Sequence, residues 1–207
     1  MQFDHFEIVG IAIEAGLSIM DVYDSSVQIE VQSKEDDSPL TKADIAAHKT
    51  IIRGLSTINP EVPVVSEEGR VGDPKKSELA WLVDPLDGTK EFIKRNGMFT
   101  VNIALMKRMG PQWKPIFGVV HAPVNRTTWF GGVDVPATKI TDAETSEISV
   151  KKQTSTQPRL VASGSHRAER DEKFAKELGD HELVRMGSSL KACICLLYTS
   201  DAADDDA

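Results

Sequence analysis

Trp81-Leu82-Val83-Asp84-Pro85-Leu86-Asp87-Gly88-Thr89 sets an apolar run against two closely spaced carboxylates. An apolar strand runs into Asp84, Pro85 then fixes the backbone, and Asp87-Gly88-Thr89 can open a helix. Two carboxylates three residues apart on a tight turn can point at one spot. No basic residue lies between them, so they repel unless a cation holds them. Hard oxygen ligands of this kind suit Mg²⁺. The amides of Gly88 and Thr89, at an expected helix N-terminus, form a natural phosphate seat. Metal beside phosphate predicts phosphoryl hydrolysis. Taken alone, the same residues also read as a turn with a helix N-cap.

Upstream, Ser66-Glu67-Glu68-Gly69 follows an expected strand at 62–66, and Glu67 precedes Asp84 by seventeen residues. By itself this pair of acids reads as a solvated turn. Beside Asp84 and Asp87, Glu67 becomes a candidate third carboxylate. Upstream, apolar residues at three- and four-residue steps predict helices over 6–23 and 42–58. Thr41 is the expected N-cap of the second, with Asp44 three residues on as its capping-box partner. Strands are expected at 80–84, 99–105, 116–120 and 127–130. The polar segment 132–150, with Pro136, reads as strand-poor and as the boundary between two parts. Beyond it, strand 159–163, helix 167–178, strand 183–186 and a helix starting at 188 follow in β-α-β-α order, which favours an α/β layer. His5, His48, His121 and His181 show no metal-ligand spacing. Trp81, Trp113 and Trp129 are expected to pack in the sheet.

SEEG, then WLVDPLDGTKEF, with SPLTKAD at 38–44, resembles the inositol monophosphatase superfamily of metal-dependent, lithium-sensitive phosphatases. Within it, DPLDGTKEFIKRNGMFTVNIAL is similar to the 3′(2′),5′-bisphosphate nucleotidases, in which K-E-F follows D-G-T where inositol monophosphatases carry T-N-F. The resemblance implies a layered α/β/α/β/α sandwich. It also implies Mg²⁺ as cofactor, two or three ions in the complete enzyme. The ligands would be Glu67, Asp84, the Leu86 carbonyl and Asp87. Asp44, Thr89 and Glu67 would form the catalytic set, with Thr89 and Asp44 orienting and activating a water on the metal. Glu67, Leu86, Asp87, Gly88 and Thr89 would face the substrate. Ser163-Gly-Ser-His166 resembles a subfamily segment in which His166 would contact the nucleotide. Gly187-Ser188-Ser189-Leu190-Lys191 resembles another, in which Ser188 and Lys191 would hold the non-reacting phosphate. Read without the resemblance, these last three are a loop histidine, a capping serine and a surface lysine. The implied substrate is a small nucleotide bisphosphate, adenosine 3′,5′-bisphosphate, cleaved to AMP and phosphate in sulfate assimilation or nucleotide recycling. An inositol-phosphate phosphatase on the same fold is the alternative.

The expected organisation is an N-terminal α+β metal-binding part over 1–145 and the start of a C-terminal α/β substrate part over 146–195. A tail over 196–207 matches nothing in the family and reads as adapter-derived translation. On this reading the C-terminal part is incomplete. The family's W-D-x-A-A segment, whose aspartate completes the metal site, finds no counterpart, so an inactive metal-binding fragment is a further alternative. The chain has 207 residues and a net charge of −8. Four aspartates after residue 196 carry half of that charge. An acidic chain argues against a nucleic-acid groove, while a bound divalent cation still permits an anionic substrate. No apolar run approaches the ~20 residues of a bilayer span. The start MQFDHFEIVG lacks a basic n-region, so a cytoplasmic protein is expected, with peripheral attachment at the inner membrane face as a variant. Cys193 and Cys195 are expected to be free thiols.

Overall fold

In the computed structural model, which describes residues 4–25, 31–33, 39–149, 158–163 and 169–198, Asp4 caps helix α1 (His5–Tyr23) by accepting the Phe6 N–H at 2.9 Å. Ile8, Ile11, Ala12, Ala15 and Ile19 form its buried stripe. Two short paired strands, β1 (Val31–Ser33) and β2 (Pro39–Thr41), lead into α2 (Lys42–Ile58). Thr41 and Asp44 make the complete capping box that the spacing predicted. The two helices close on each other at Gly54, where a β-carbon would lie 2.6 Å from Ile11 Cγ1.

The helix pair lies on one face of an eight-stranded sheet. Its strands are β3 (Val64–Ser66), β4 (Gly69–Val71), β5 (Leu79–Asp87), β6 (Thr100–Met109), β7 (Gln112–Ala122), β8 (Thr127–Gly132), β9 (Val135–Ile140) and β10 (Thr145–Glu147). The spatial order is β10-β9-β8-β7-β6-β5-β3-β4. β3 and β5 run parallel, and every other neighbouring pair in this sheet is antiparallel. Trp81, Val83, Val101, Ile103, Leu105, Phe117, Val119 and Phe130 fill the core between sheet and helices. Among the tryptophans, Trp81 and Trp129 are buried as expected. Trp113 instead sits half-buried under the Arg108 guanidinium, 4.8 Å from the ring centre.

The segment 132–150 is not strand-poor: it holds β9 and β10, and the sheet runs on to Glu147. Proline and scattered polar residues hid the strands. Gly132 pairs with Val135 and Phe130 with Thr138, so β9 carries one extra residue around Pro136. A bulge is where a strand tolerates proline, whose missing N–H costs no regular ladder bond there.

After the sheet come β11 (Arg159–Ser163), α4 (Glu169–Leu178), β12 (Glu182–Met186) and α5 (Leu190–Tyr198). β11 and β12 pair in parallel, in keeping with the α/β layer that the β-α-β-α order favours. Leu190 and Cys193 of α5 pack on Ala122 and Trp129, the sheet face opposite α1 and α2. Cys193 is buried and Cys195 exposed, and neither is in a disulfide. Helix pair, sheet, α5 and parallel pair follow one another in the layered α/β order expected.

His121 is 5% exposed, its Nδ1 2.8 Å from Thr128 Oγ1 and its ring pressed against the Gly16 turn of α1. Burial pushes its pKa from 6.5 down to about 4. A base held neutral in this way contributes stability above pH 6.5, and that contribution is lost as pH falls through 4. The expected loss is about 3 kcal/mol. Urea midpoints at pH 7.5 and 4.5 should therefore converge in His121→Asn relative to wild type. An unchanged acid slope in the variant would refute this.

Candidate active site

Asp84 of β5 faces Asn102 of β6, and Asp87 faces Thr100. Three steps on β5 match two on β6, so β5 carries one extra residue between the aspartates. In a regular strand side chains alternate, and residues three apart lie on opposite faces. The bulge restores the parity and brings both aspartates to the side away from α1 and α2. It also accommodates Pro85 inside a strand. This is why β5 continues to Asp87 rather than ending at Asp84 as expected. Gly88 then takes φ +96°, which favours glycine. A β-carbon at Gly88 would lie 3.0 Å from Met98 O and 3.2 Å from Ser188 Cβ. The short helix α3 (Thr89–Ile93) follows.

Glu67 reaches the same place by parallel pairing. β3 aligns Ser66 with Val83, and the Glu67 N–H donates to the Val83 carbonyl at 3.1 Å. His48 of α2 ties this turn down, its Nδ1 2.9 Å from Ser66 Oγ. The Asp84 carboxyl is pushed up to about 8, by burial first and then by the charges of Asp87 and Glu67. It shares a hydrogen bond with Glu67, while the Leu86 N–H partly offsets the rise. Its Oδ1 is buried and accepts no hydrogen bond among the described residues.

Asp44 and Thr89, forty-five residues apart, meet here. The Thr89 hydroxyl lies 3.3 Å from both Asp44 Oδ1 and the Leu86 carbonyl. Asp44 is 1% exposed, and its Oδ2 accepts the Thr41 N–H at 2.8 Å and the Thr41 hydroxyl at 2.6 Å. One carboxylate thus both caps α2 and reaches the Asp87-Gly88-Thr89 turn.

The Gly187–Ser189 turn closes the other side. The Ser188 hydroxyl accepts the Leu190 N–H at 3.3 Å, and Lys191 Nζ donates to the Ser188 carbonyl at 2.8 Å. Ser188 and Lys191 are therefore adjacent, as their spacing predicted. His166 lies outside the described residues. Two residues that the sequence reading left aside also enter: Asn102 and Ser189 both bond Asp87. Asn102 had a faint signal as a polar residue on the non-core face of its strand. Its place opposite Asp84 depends on register, which the sequence does not display.

Among the described residues, no group of three histidine, cysteine, aspartate or glutamate side chains is gathered closely enough to hold an ion as it stands. Asp84 leans on Glu67, Asp87 on Ser189, and the Leu86 carbonyl on Thr89. In kind, the donors nonetheless fit Mg²⁺: carboxylate and carbonyl oxygens only, partly desolvated, with no lysine or arginine among the groups that shift Asp84. The orphaned Asp84 Oδ1 is the atom a cation would satisfy.

The inositol monophosphatase family profile matches residues 4–203. The match runs past Leu196, where the sequence reading ended the family part. The chain belongs to the inositol monophosphatase family, a family of phosphatases. Among curated relatives, it is 43% identical over 198 residues to the 3′(2′),5′-bisphosphate nucleotidase CysQ of Salmonella typhimurium, covering 91% of this chain and 74% of the relative. It is 44% identical over 194 residues to the protein of the same name from Escherichia coli K12, with the same coverage. Among solved structures, CysQ of Bacteroides thetaiotaomicron superposes with a TM-score of 0.77 at 32% identity, covering 95% of this chain and 77% of that one. No helix among the described residues is long and apolar enough to cross a membrane. Peripheral attachment at a membrane face finds no support in these observations.

Proposed function

We propose that this chain carries the active site of a Mg²⁺-dependent 3′(2′),5′-bisphosphate nucleotidase. The substrate is adenosine 3′,5′-bisphosphate, and the products are AMP and phosphate. The observation that carries the phosphatase chemistry is the contact of Thr89 with Asp44 beside the Asp84–Glu67 pair. The relatives named as nucleotidases support the substrate. Glu67, Asp84, the Leu86 carbonyl and Asp87 would hold the ions. When bound, Mg²⁺ neutralises the phosphate and makes water more acidic.

The residues themselves supply position and a proton path. The Thr89 hydroxyl donates toward Asp44, which leaves its lone pairs to accept from the attacking water and align it. The proton released then passes by way of Thr89 to Asp44 Oδ1. Water adds to phosphorus, the bond to the 3′-oxygen breaks, that oxygen takes a proton from solvent water, and Asp44 returns the proton it received to solvent. Ser188 and Lys191 meet the non-reacting phosphate, with lysine acting as a point charge. The Lys90-Glu91-Phe92 run bears on this side too. Phe92 is fully buried, and Glu91 lies so close to Gly187 that a β-carbon there would be 2.6 Å from Glu91 Cγ. Of the two residues in which K-E-F differs from T-N-F, Glu91 thus lies against the turn assigned to substrate. The division into a metal-binding part over 1–145 and a substrate part beyond it belongs to the same proposal, without the separate tail from 196, since the family match runs to residue 203.

Phosphate release from adenosine 3′,5′-bisphosphate and from inositol 1-phosphate, each with and without Mg²⁺, tests the assignment. A strong Mg²⁺-dependent preference for the nucleotide is expected. Preference for the inositol ester would overturn the substrate. A Mg²⁺-induced rise in melting temperature without turnover of either would overturn the enzyme reading and leave a metal-binding chain.

A further inference from the structure

Asp87 is held more firmly than a lone metal-ligand carboxylate on a bulge would be. Its Oδ2 accepts the Ser189 N–H at 2.6 Å, the Ser189 hydroxyl at 2.6 Å and the Asn102 amide at 3.2 Å. Asn102 Nδ2 also lies 2.9 Å from Ser189 Oγ, which closes a triangle. Oδ1 takes no part in these bonds. Ser189 and Asp87 are 102 residues apart, so the triangle pins the start of α5 to β5 and β6. Three donors on one oxygen fix the rotation of the carboxylate, and bonds to a charged acceptor are the strong kind. Hydrogen bonds to a ligating carboxylate orient it and tune its basicity.

We infer that Asn102 and Ser189 are positioning residues that present Asp87 Oδ1 to the metal and substrate. This rests on the reading of Asp87 as a ligand given above. The same clamp couples the two sides of the site. The turn that carries Ser188 and Lys191 is fixed in place by the carboxylate that serves the metal. A bisphosphate seated on that turn is thereby registered against the ions.

The consequence is measurable without relying on turnover alone. Ser189→Ala keeps the N–H bond and loses the hydroxyl. Asn102→Ala loses the amide. Outer partners of metal ligands typically matter by about 10–100-fold in metal affinity or activity. Each variant should therefore raise the Mg²⁺ concentration at half-maximal melting shift by about 10-fold or more. Each should also lower kcat more than it raises KM, because the bond aligns the site rather than binding substrate. Ser189→Thr, which keeps the hydroxyl, should restore the Mg²⁺ midpoint. In the double variant the losses should fall short of additivity, since both residues serve one oxygen. If wild type turns over and responds to Mg²⁺ while both alanine variants share its midpoint and kcat, the clamp is overturned and the function stands. If wild type neither turns over nor responds to Mg²⁺, the function falls and the clamp with it. Should one variant fail to fold, the other together with Ser189→Thr decides.

Discussion

Asp84→Asn is expected to lower phosphate release by about 10³-fold or more while making the metal-free chain more stable at pH 8. The two effects share one cause. Asp84 is a carboxyl pressed into a partly buried site beside Asp87 and Glu67, and its pKa is pushed up to about 8. An acid raised in this way contributes stability below its ordinary pKa of 3.8. That contribution is lost as pH rises through 8. By then the site costs roughly 2–4 kcal/mol, after allowance for solvent reaching a residue that is not fully enclosed. The asparagine is isosteric and uncharged, so it removes the slope. Melting temperatures of metal-free wild type and variant should be close at pH 4.5 and diverge at pH 8, the variant being higher. Addition of Mg²⁺ should raise the wild type and leave the variant where it is. A variant that keeps wild-type turnover, or that is equally unstable at pH 8, would contradict the placement of a cation at Asp84.

Asp44→Ala should cost both stability and rate. The carboxylate caps α2 through the Thr41 N–H, accepts the Thr41 hydroxyl, and meets the Thr89 hydroxyl, all while 1% exposed. Removing it deletes the reciprocal half of a capping box and strands buried donors. The expected loss is about 2–4 kcal/mol. Turnover should fall by about 10²–10³-fold, because Thr89 loses the acceptor that orients it and takes its proton. Asp44→Asn separates the two roles. Its amide oxygen can still accept from Thr41, so most of the stability should survive, but it cannot take up a proton. Urea denaturation and kcat measured on both variants read these apart. If Asp44→Asn retains full kcat, the residue is a cap and nothing more.

The helices over 5–23 and 42–58 were readable in advance because apolar spacing and a capping box are local properties of the chain. The aspartates at 84 and 87 and the glycine between turn and helix were readable for the same reason: their chemistry lies within nine residues. Ser188 and Lys191 were adjacent by spacing alone. The strands over 135–140 and 145–147 were missed, since a proline and polar side chains argue against a strand unless a bulge is known to receive them. Trp113 was placed in the sheet interior on residue type alone, and the cation above it made a half-buried position favourable.

Which groups the site contains is legible along the chain: carboxylates at 44, 67, 84 and 87, a threonine hydroxyl at 89, a serine and lysine three apart. The family is legible too, because Asp84, Asp87 and Thr89 sit in the long motif DPLDGTKEFIKRNGMFTVNIAL. Which of them meet is settled by contacts between distant segments. The bulge in β5 set the face on which Asp84 and Asp87 lie. Parallel pairing of β3 with β5 delivered Glu67 to Asp84, and the docking of α5 brought Ser189 to Asp87 across 102 residues. Strand register and long-range hydrogen bonds are relations between segments. No single segment carries them, which is why Asn102 and Ser189 emerge only when the sheet and the helix are in place.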